Sequence, residues 1–400
     1  MVCKIIWGAQ IPWGGGLKRK IILHEGVFDQ IISLDNLFKA WREFRKGKRS
    51  KPDVMTFEYT LEDNIFQLHQ DLSSGSYWHG SYQQFQITDP KARVISKSSV
   101  RDRLLHHAIY RILYPTLDET FIYDSYSCRN NKGTHKAFAR LQEVVRKISH
   151  NYTKPCFALK LDIRKFFDSV DHEILMDLLR ERIEDKKLLE LLENIIRSFS
   201  SIRHAEFISA SPVEILNNIR SFDFAQDDKA RKSLSVQDDA ESRGIPLGNL
   251  TSQLFANVYL DPLDKFAKHK LKAKYYLRYA DDFIFLSDDP DILMGYLVEV
   301  NQFLKTNLKL NIHPNKIYFR KLRWGIDYVG YVVLPHYSIP RKKTVKRIFK
   351  KVSSLFKESD LGKLAQALPS YLGYLQHVRS HKIRVNLLEL VGSAAGKIQV

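Results

Sequence analysis

Only three cysteines occur in 400 residues, and Cys3, Cys128 and Cys156 have no paired spacing. That excludes a disulfide framework or a structural zinc site and fits a reducing, cytoplasmic setting. No apolar run approaches the roughly 20 residues of a membrane span, so no membrane partner is expected. Met1 to Gly16 lacks the charged start and small-residue cleavage site of a secretory signal. Acidic charge is also scarce, with 45 Asp and Glu against 63 Lys and Arg, a net charge of +18. Such an excess favours a polyanionic partner, most often nucleic acid, and says nothing about fold. Apolar residues are not scarce: 44% hydrophobic and 12% aromatic exclude wholesale disorder, and the length suits two or three domains around a shared core.

Along the chain, residues 1–35 carry Gly14-Gly15-Gly16 and little periodicity and read as an N-terminal extension. Leu37 to Lys51 is amphipathic with a basic tail of Arg42, Arg45, Lys46, Lys48, Arg49 and Lys51; it is either a solvated face or, with Trp41 and Phe44 interleaved, a nucleic-acid surface. Residues 80–100 read as a β-hairpin with cations at its tip, and Arg101 to Leu113 as a helix. Cys156 to Phe167 is the clearest strand, with Phe157, Leu159 and Leu161 on one face and Ala158, Lys160 and Asp162 on the other. A helix capped by Asp171 follows, then a second through Leu188 to Ile196.

Residues 203–242 break this pattern. They hold eight acidic and five basic side chains, a charge of −3 against +21 for the rest, and contain the near-repeat Gln226-Asp227-Asp228 and Gln237-Asp238-Asp239. A structureless stretch of this length marks a peripheral insertion, and its charge has the wrong sign for gripping a polyanion. Order resumes at Gly244, with a helix over 250–260, two short apolar strands around Ala280-Asp281-Asp282, a helix over 291–307 and strands near 316–320 and 327–334. The last sixty residues have 13 basic and 3 acidic side chains at helical spacing.

Two segments carry chemistry. Leu159-Lys160-Leu161-Asp162 delivers a carboxylate from an apolar strand, and Asp281-Asp282 sits between two more. Taken alone, each is ordinary strand-end or turn chemistry. Together, about 120 residues apart in a strand–helix–helix–strand context, they suggest converging carboxylates that would repel unless a cation lay between them. Oxygen ligands without a His or Cys cluster select Mg²⁺, or Mn²⁺ as a substitute, over zinc. Two such ions about 3.5–4 Å apart would serve in-line phosphoryl transfer, and on a basic background that suggests polynucleotide synthesis.

Tyr279-Ala280-Asp281-Asp282 resembles the YxDD box of reverse transcriptases, and Leu161-Asp162-Ile163-Arg164-Lys165-Phe166-Phe167-Asp168 their first catalytic motif. Gly244 to Gln253 resembles the loop and helix lining their nucleotide pocket. Leu310-Asn311-x-x-Pro314-Asn315-Lys316 is similar to their downstream lysine motif and Tyr328-Val329-Gly330-Tyr331 to their primer grip. The boxes occur in the family's order across roughly residues 35–380. The resemblance implies an α+β right-hand polymerase: fingers with part of the palm over 36–155, a palm with an antiparallel catalytic sheet over 156–335, and a basic helical thumb over 336–400.

It also implies roles. Asp162, Asp281 and Asp282 would be catalytic and, with the Ile163 carbonyl, would hold two Mg²⁺ ions. Lys91 and Arg93 would grip the triphosphate, Phe167 would exclude a 2′-hydroxyl, and Leu247, Gly248 and Gln253 would line the nucleotide pocket. Lys316 would neutralise or protonate pyrophosphate, and Gly330 and Tyr331 would meet the primer. The implied reaction adds dNTPs to a DNA or RNA primer on an RNA template.

Leu247-Gly248-x-x-x-Ser252-Gln253 resembles the diversity-generating retroelement enzymes most, as do Asp89 to Ser96 and Ser127-Cys128-Arg129-x-x-Lys132-Gly133-Thr134-His135. That subgroup implies copying with errors at adenines and a small basic accessory protein. A retron-like or phage-defence reverse transcriptase is the alternative within the class, and a basic RNA-binding protein with a relic polymerase centre is the alternative outside it.

Overall fold

A computed structural model describes residues 22–87, 93–209, 243–358 and 360–395. Helices α1 (Val27–Ile32), α2 (Leu34–Phe44), α3 (Pro52–Tyr59) and α4 (Leu61–Ser73) come first, then β1 (Gln83–Ile87), β2 (Arg93–Lys97) and α5 (Val100–Asp118). Next are α6 (Thr134–Ile148), β3 (Phe157–Asp162), α7 (Phe166–Ser169), α8 (His172–Arg180), α9 (Lys186–Ser209) and α10 (Leu250–Lys265). The chain continues with β4 (Tyr276–Tyr279), β5 (Asp282–Ser287), α11 (Pro290–Asn307), β6 (Tyr318–Lys321), β7 (Ile326–Tyr328), β8 (Tyr331–Leu334) and β9 (Tyr337–Pro340). Three helices close it: α12 (Lys342–Lys357), α13 (Leu361–Gln376) and α14 (His381–Ala395).

These elements divide into two compact units. The first comprises Met1–Tyr123, Ile163–Lys272 and Asn301–Asn311; the second comprises Asp124–Asp162, Ala273–Val300 and Ile312–Val400. In the first, α2 is buried along Leu37, Ala40, Trp41 and Phe44, and Ser33 caps it by accepting from the Asn36 N–H. α5 packs on α2 through Leu104, Leu105, Ala108 and Ile109 and begins at a second serine cap, Ser99. β1 and β2 pair antiparallel from Gln83↔Lys97 to Ile87↔Arg93. Lys91 and the rest of the hairpin tip, 88–92, lie outside the described residues, as do 210–242 of the insertion.

Three expectations need correction here. Residues 22–35 contribute to the core rather than standing off as an extension: Leu23, Val27, Phe28, Ile31 and Ile32 are buried, because short amphipathic helices need a partner surface to exist at all. Trp41 and Phe44 are core side chains, about 1% exposed, so they are closed to nucleic acid; Arg42, Lys46, Arg49 and Lys51 stay exposed. The strand from Cys156 ends at Asp162 rather than Phe167. Lys165 takes a left-handed φ of 45° there, and Phe166 opens a helical turn.

The second unit is built on the antiparallel order β4-β5-β3-β6. β3 is central, pairing Asp162 with Asp282 on one side and Lys160 with Tyr318 on the other. One sheet face, with Ala158, Leu277, Ile284 and Leu286, packs with the α6 stripe of Phe138, Leu141, Val144 and Val145. The opposite face carries Leu159, Leu161, Phe283 and Phe285, all fully buried. β7, β8 and β9 form a separate three-stranded sheet. Helices α12 to α14 share an apolar core of Ile348, Val352, Leu355, Leu364, Leu375 and Leu387. The outer face of α12 presents Lys342, Lys343, Lys346, Arg347, Lys350 and Lys351.

Candidate active site

Period-2 alternation places Lys160 and Asp162 on the same strand face as Ala158, and β5 pairing sets Asp282 opposite Asp162. Tyr279 pairs with Asp282, so Ala280 and Asp281 are a two-residue hairpin loop. Ala280 holds φ 54°, a region a non-glycine residue occupies only where its surroundings enforce it. Arg278 enforces it: its side chain is fully buried and Nη1 donates to the Ala280 carbonyl at 3.2 Å. Its backbone is held in turn, with Arg278 N–H donating to Asp124 O and Tyr126 N–H to Arg278 O.

Lys316 joins the group by a local route. His313 N–H donates to the Asp162 carbonyl at 2.8 Å, and the His313 ring caps the turn Pro314–Lys316 by accepting from Asn315 N–H. That places Lys316 Nζ 2.5 Å from Asp162 Oδ1. Lys160 Nζ stands 3.4 Å from Asp282 Oδ2. Three carboxylates thus share two ammonium groups, and the balance is repulsive. Burial, then Asp162 and Asp282, push the Asp281 carboxyl up to about 6. Burial also raises Asp282, against Lys160 and with help from Asp162.

This donor set is all oxygen and carries charge that only a cation would relieve, which fits a hard divalent ion. Among the described residues no three His, Cys, Asp or Glu side chains converge tightly enough to cage an ion unaided. Mg²⁺ in phosphoryl-transfer sites commonly draws its remaining oxygens from water and substrate phosphates.

The pocket-loop residues all lie in the first unit. Gly244 N–H donates to Val170 O and Ile245 N–H to Phe167 O, so the loop is docked against α7 despite the preceding insertion. Ser96 N–H donates to Leu247 O at 3.2 Å, binding the loop to β2. Gly248 has φ +119°, and a Cβ there would meet Ile95 Cγ2 at 2.9 Å, so the position admits only glycine comfortably. Leu247, Gln253 and Phe167 are half-buried, Arg93 is exposed at the start of β2, and Phe166 is core. Ile163 follows Asp162 directly and its side chain is buried.

Gly330 sits in the β7–β8 turn at φ +96°, its carbonyl accepting from Tyr374 Oη at 2.5 Å. Tyr331 is 1% exposed, its ring stacked on Phe138 and Tyr374 and its hydroxyl donating to Tyr374 O. It supports the turn from inside. A cavity of about 560 Å³ borders it, lined by His135, Gly330, Tyr331, Arg347, Tyr374 and His377 among others. Lys160 and Arg278 were not singled out from sequence. The available signals were a lysine two residues before Asp162 on its own strand face, and a lone arginine inside the apolar run Tyr276-Leu277-Arg278-Tyr279.

Residues 88–333 match the family described as Reverse transcriptase (RNA-dependent DNA polymerase), so the chain belongs to the reverse transcriptase family and its domain is a right-hand polymerase fold. Among known proteins it is 22% identical over 348 residues to the COX1/OXI3 intron 2 protein of Saccharomyces cerevisiae, covering 72% of this chain and 36% of that protein. It is 24% identical over 217 residues to the group II intron-encoded protein LtrA of Lactococcus lactis subsp. cremoris, 54% of this chain and 30% of LtrA. It is also 24% identical over 282 residues to protein YkfC of Escherichia coli, 66% of this chain and 69% of YkfC. The chain spans about a third of the length of the first two of these relatives.

Proposed function

We propose that this chain is an RNA-directed DNA polymerase that adds dNTPs to a primer 3′-end on an RNA template. The observation that carries this is the repulsive cluster of Asp162, at the end of β3, with Asp281 and Asp282 of the β4–β5 hairpin in a reverse transcriptase domain. Divalent ions bound there would lower the 3′-hydroxyl's proton affinity and neutralise the charge that builds on the leaving pyrophosphate. Asp162 and Asp281 are the residues assigned to hold them, with the Ile163 carbonyl, and Asp282 supports from beside Lys160. Lys316 is assigned to deliver positive charge or a proton to a departing phosphate, and its position beside Asp162 supports that. In the first unit, Arg93 and Lys91 are assigned to the triphosphate, Phe167 to the sugar edge, and Leu247, Gly248 and Gln253 to the base and its backbone.

Within that class we assign the error-prone enzyme of a diversity-generating retroelement, working with a small basic accessory protein. Leu247-Gly248-x-x-x-Ser252-Gln253 supports it. An intron-encoded reverse transcriptase is the second reading, favoured by the intron-encoded proteins among the relatives. Primer extension on a defined RNA template with Mg²⁺, followed by cDNA sequencing, separates them. Errors concentrated opposite adenines support the retroelement enzyme, and uniformly accurate cDNA supports the intron-type enzyme. Absence of metal-dependent extension, with cognate RNA and accessory protein supplied, would overturn the polymerase reading itself.

A further inference from the structure

A continuous chain of hydrogen bonds runs behind the pocket loop in the first unit. Thr251 Oγ1 lies 2.8 Å from His106 Nδ1, His106 Nε2 lies 3.2 Å from His79 Nε2, and His79 Nδ1 lies 2.7 Å from the Gly80 carbonyl. Its polarity follows from one fact: a carbonyl only accepts. His79 therefore carries its proton on Nδ1 and accepts at Nε2, so His106 donates from Nε2 and accepts at Nδ1 from the Thr251 hydroxyl. Each ring can make this arrangement only while uncharged.

The chain is built in. His106 is 2% exposed and Thr251 1% exposed, and the His79 ring stacks on Tyr82 at 4.7 Å just before β1. Thr251 lies in the first turn of α10, whose cap, Asn249, accepts from Ser98 Oγ at 3.0 Å. The loop Leu247–Thr251 is therefore pinned at Leu247 O, at Asn249 and at Thr251, in each case to β2, α5 or the segment that connects them.

On balance the surroundings make a second proton unwelcome, burial outweighing Asp102 and the Gly80 carbonyl, which favour one on His79. α5 contributes Arg101, Arg103 and His107, with Asp102 engaged by Tyr77 Oη, Ser99 Oγ and Gly80 N–H. α9 contributes Ser198 to the Tyr82 hydroxyl and Asn194 to the Tyr77 carbonyl, and α10 only the Thr251 hydroxyl. Burial, first of all, holds both rings below the ordinary imidazole range. A second proton on His79 would set two N–H groups face to face across 3.2 Å. A second proton on His106 would bury a charge beside His79, His107 and Arg103 and turn the Thr251 hydroxyl round.

We propose that Thr251, His106 and His79 are positioning residues for the nucleotide pocket, a proton-sensitive brace that fixes the loop Leu247–Gln253 while both imidazoles are neutral and loosens it when either gains a proton. This rests on the reading of that loop as the site of the incoming dNTP. The brace touches no reacting atom, so its effect falls on dNTP binding rather than on chemistry.

The test is steady-state single-nucleotide incorporation by the full chain on a primed RNA template, between about pH 7.5 and about pH 5.5. Thr251→Val should raise KM for dNTP by about five-fold or more with kcat within about two-fold, and Thr251→Ser should restore it. Wild-type KM should climb toward the acid end more steeply than in Thr251→Val and His79→Phe, the latter keeping a ring against Tyr82, which start from a raised KM and retain only the slope that Asp281 imposes on every variant. His79 is only half-buried, so His79→Phe decides the matter if Thr251→Val does not fold. Wild-type KM and pH profile in His79→Phe overturn the proposal, as does a lowered melting temperature with KM unmoved. Gln253→Ala is the control on the underlying reading: if it leaves dNTP KM unchanged, the pocket assignment falls and the brace with it. If it raises KM while the brace variants do not, the brace alone falls.

Discussion

Asp171, buried, and Asp281, half-buried, are both carboxylates drawn back from solvent, yet their proton affinities move in opposite directions. Burial pushes Asp171 up, but Lys309 at 2.7 Å and the Ile174 N–H outweigh it and hold the carboxyl below its ordinary value. At Asp281, burial acts together with Asp162 and Asp282, and the carboxyl rises to about 6. Asp261, fully buried, is likewise supplied with cations, bonded by Arg182 at 2.7 Å and Lys265 at 2.6 Å. The first unit thus supplies each of these structural acids with its own cation or cap. In the second, the β4–β5 hairpin and the end of β3 crowd three acids around two lysines and leave a deficit of positive charge. A fold tolerates such a deficit where something outside the chain makes it good.

The sharpest way to break this comparison is to neutralise one acid of each kind. Asp281→Asn should lower kcat by about 10³-fold or more, several kcal/mol of lost transition-state stabilisation, while the melting temperature holds or rises. Primer extension and calorimetry on one preparation check both halves. Asp261→Asn should do the reverse, costing about 3–5 kcal/mol in urea unfolding because the buried Arg182 guanidinium loses its partner, with the half-exposed Lys265 adding little. Equal effects of the two changes on stability would erase the distinction.

A smaller effect sharpens it through pH. Asp281 has a folded value of about 6 against 3.8 ordinarily, so the folded state binds the extra proton between those values and stability falls as pH rises through that window. Asp171 has the opposite sign: its contribution is present above 3.8 and is lost as pH falls through its depressed folded value. Added Mg²⁺ should therefore stabilise the protein by about 1–3 kcal/mol at neutral pH when ten- to hundred-fold above its Kd, and by much less near pH 5. Thermal shift with and without Mg²⁺ reads this, and Asp281→Asn should abolish most of the gain. The smallest expected effect is Gly248→Ala, about 1–2 kcal/mol from a left-handed φ plus the contact with Ile95. Urea midpoints measure it, and a raised dNTP KM would tie the strain to the pocket loop.

The site was more legible in the sequence than the frame that holds it. Leu161-Asp162 and Tyr279-Ala280-Asp281-Asp282 could be found because alternation and turn chemistry are local, and β3 and β5 follow from them. The helix α6 carried a readable stripe in Ala137, Leu141, Val144 and Ile148, but its role depends on covering Ala158, Ile284 and Leu286, which sequence spacing does not reveal. At Trp41 and Phe44 the sequence left the choice open. An aromatic among cations reads alike whether it faces a base or a core, and only the packing of α2 on α5 settles which. Tyr331 makes the same point: a motif marks a position, and burial decides which of its atoms are offered.

By itself the sequence determined the chemistry that could be assembled: which strands end in carboxylates, which turn needs glycine, where the charge excess lies, and that all-oxygen ligands suit a hard cation. Those are properties of single residues and of their spacing along the chain. The tertiary structure alone decided which charges compensate one another. Lys316 reaches Asp162 across 154 positions, Lys309 reaches Asp171 across 138, and Thr251 reaches His106 across 145. Electrostatic and hydrogen-bond energies depend on distance and burial, and neither is fixed until the chain has closed on itself.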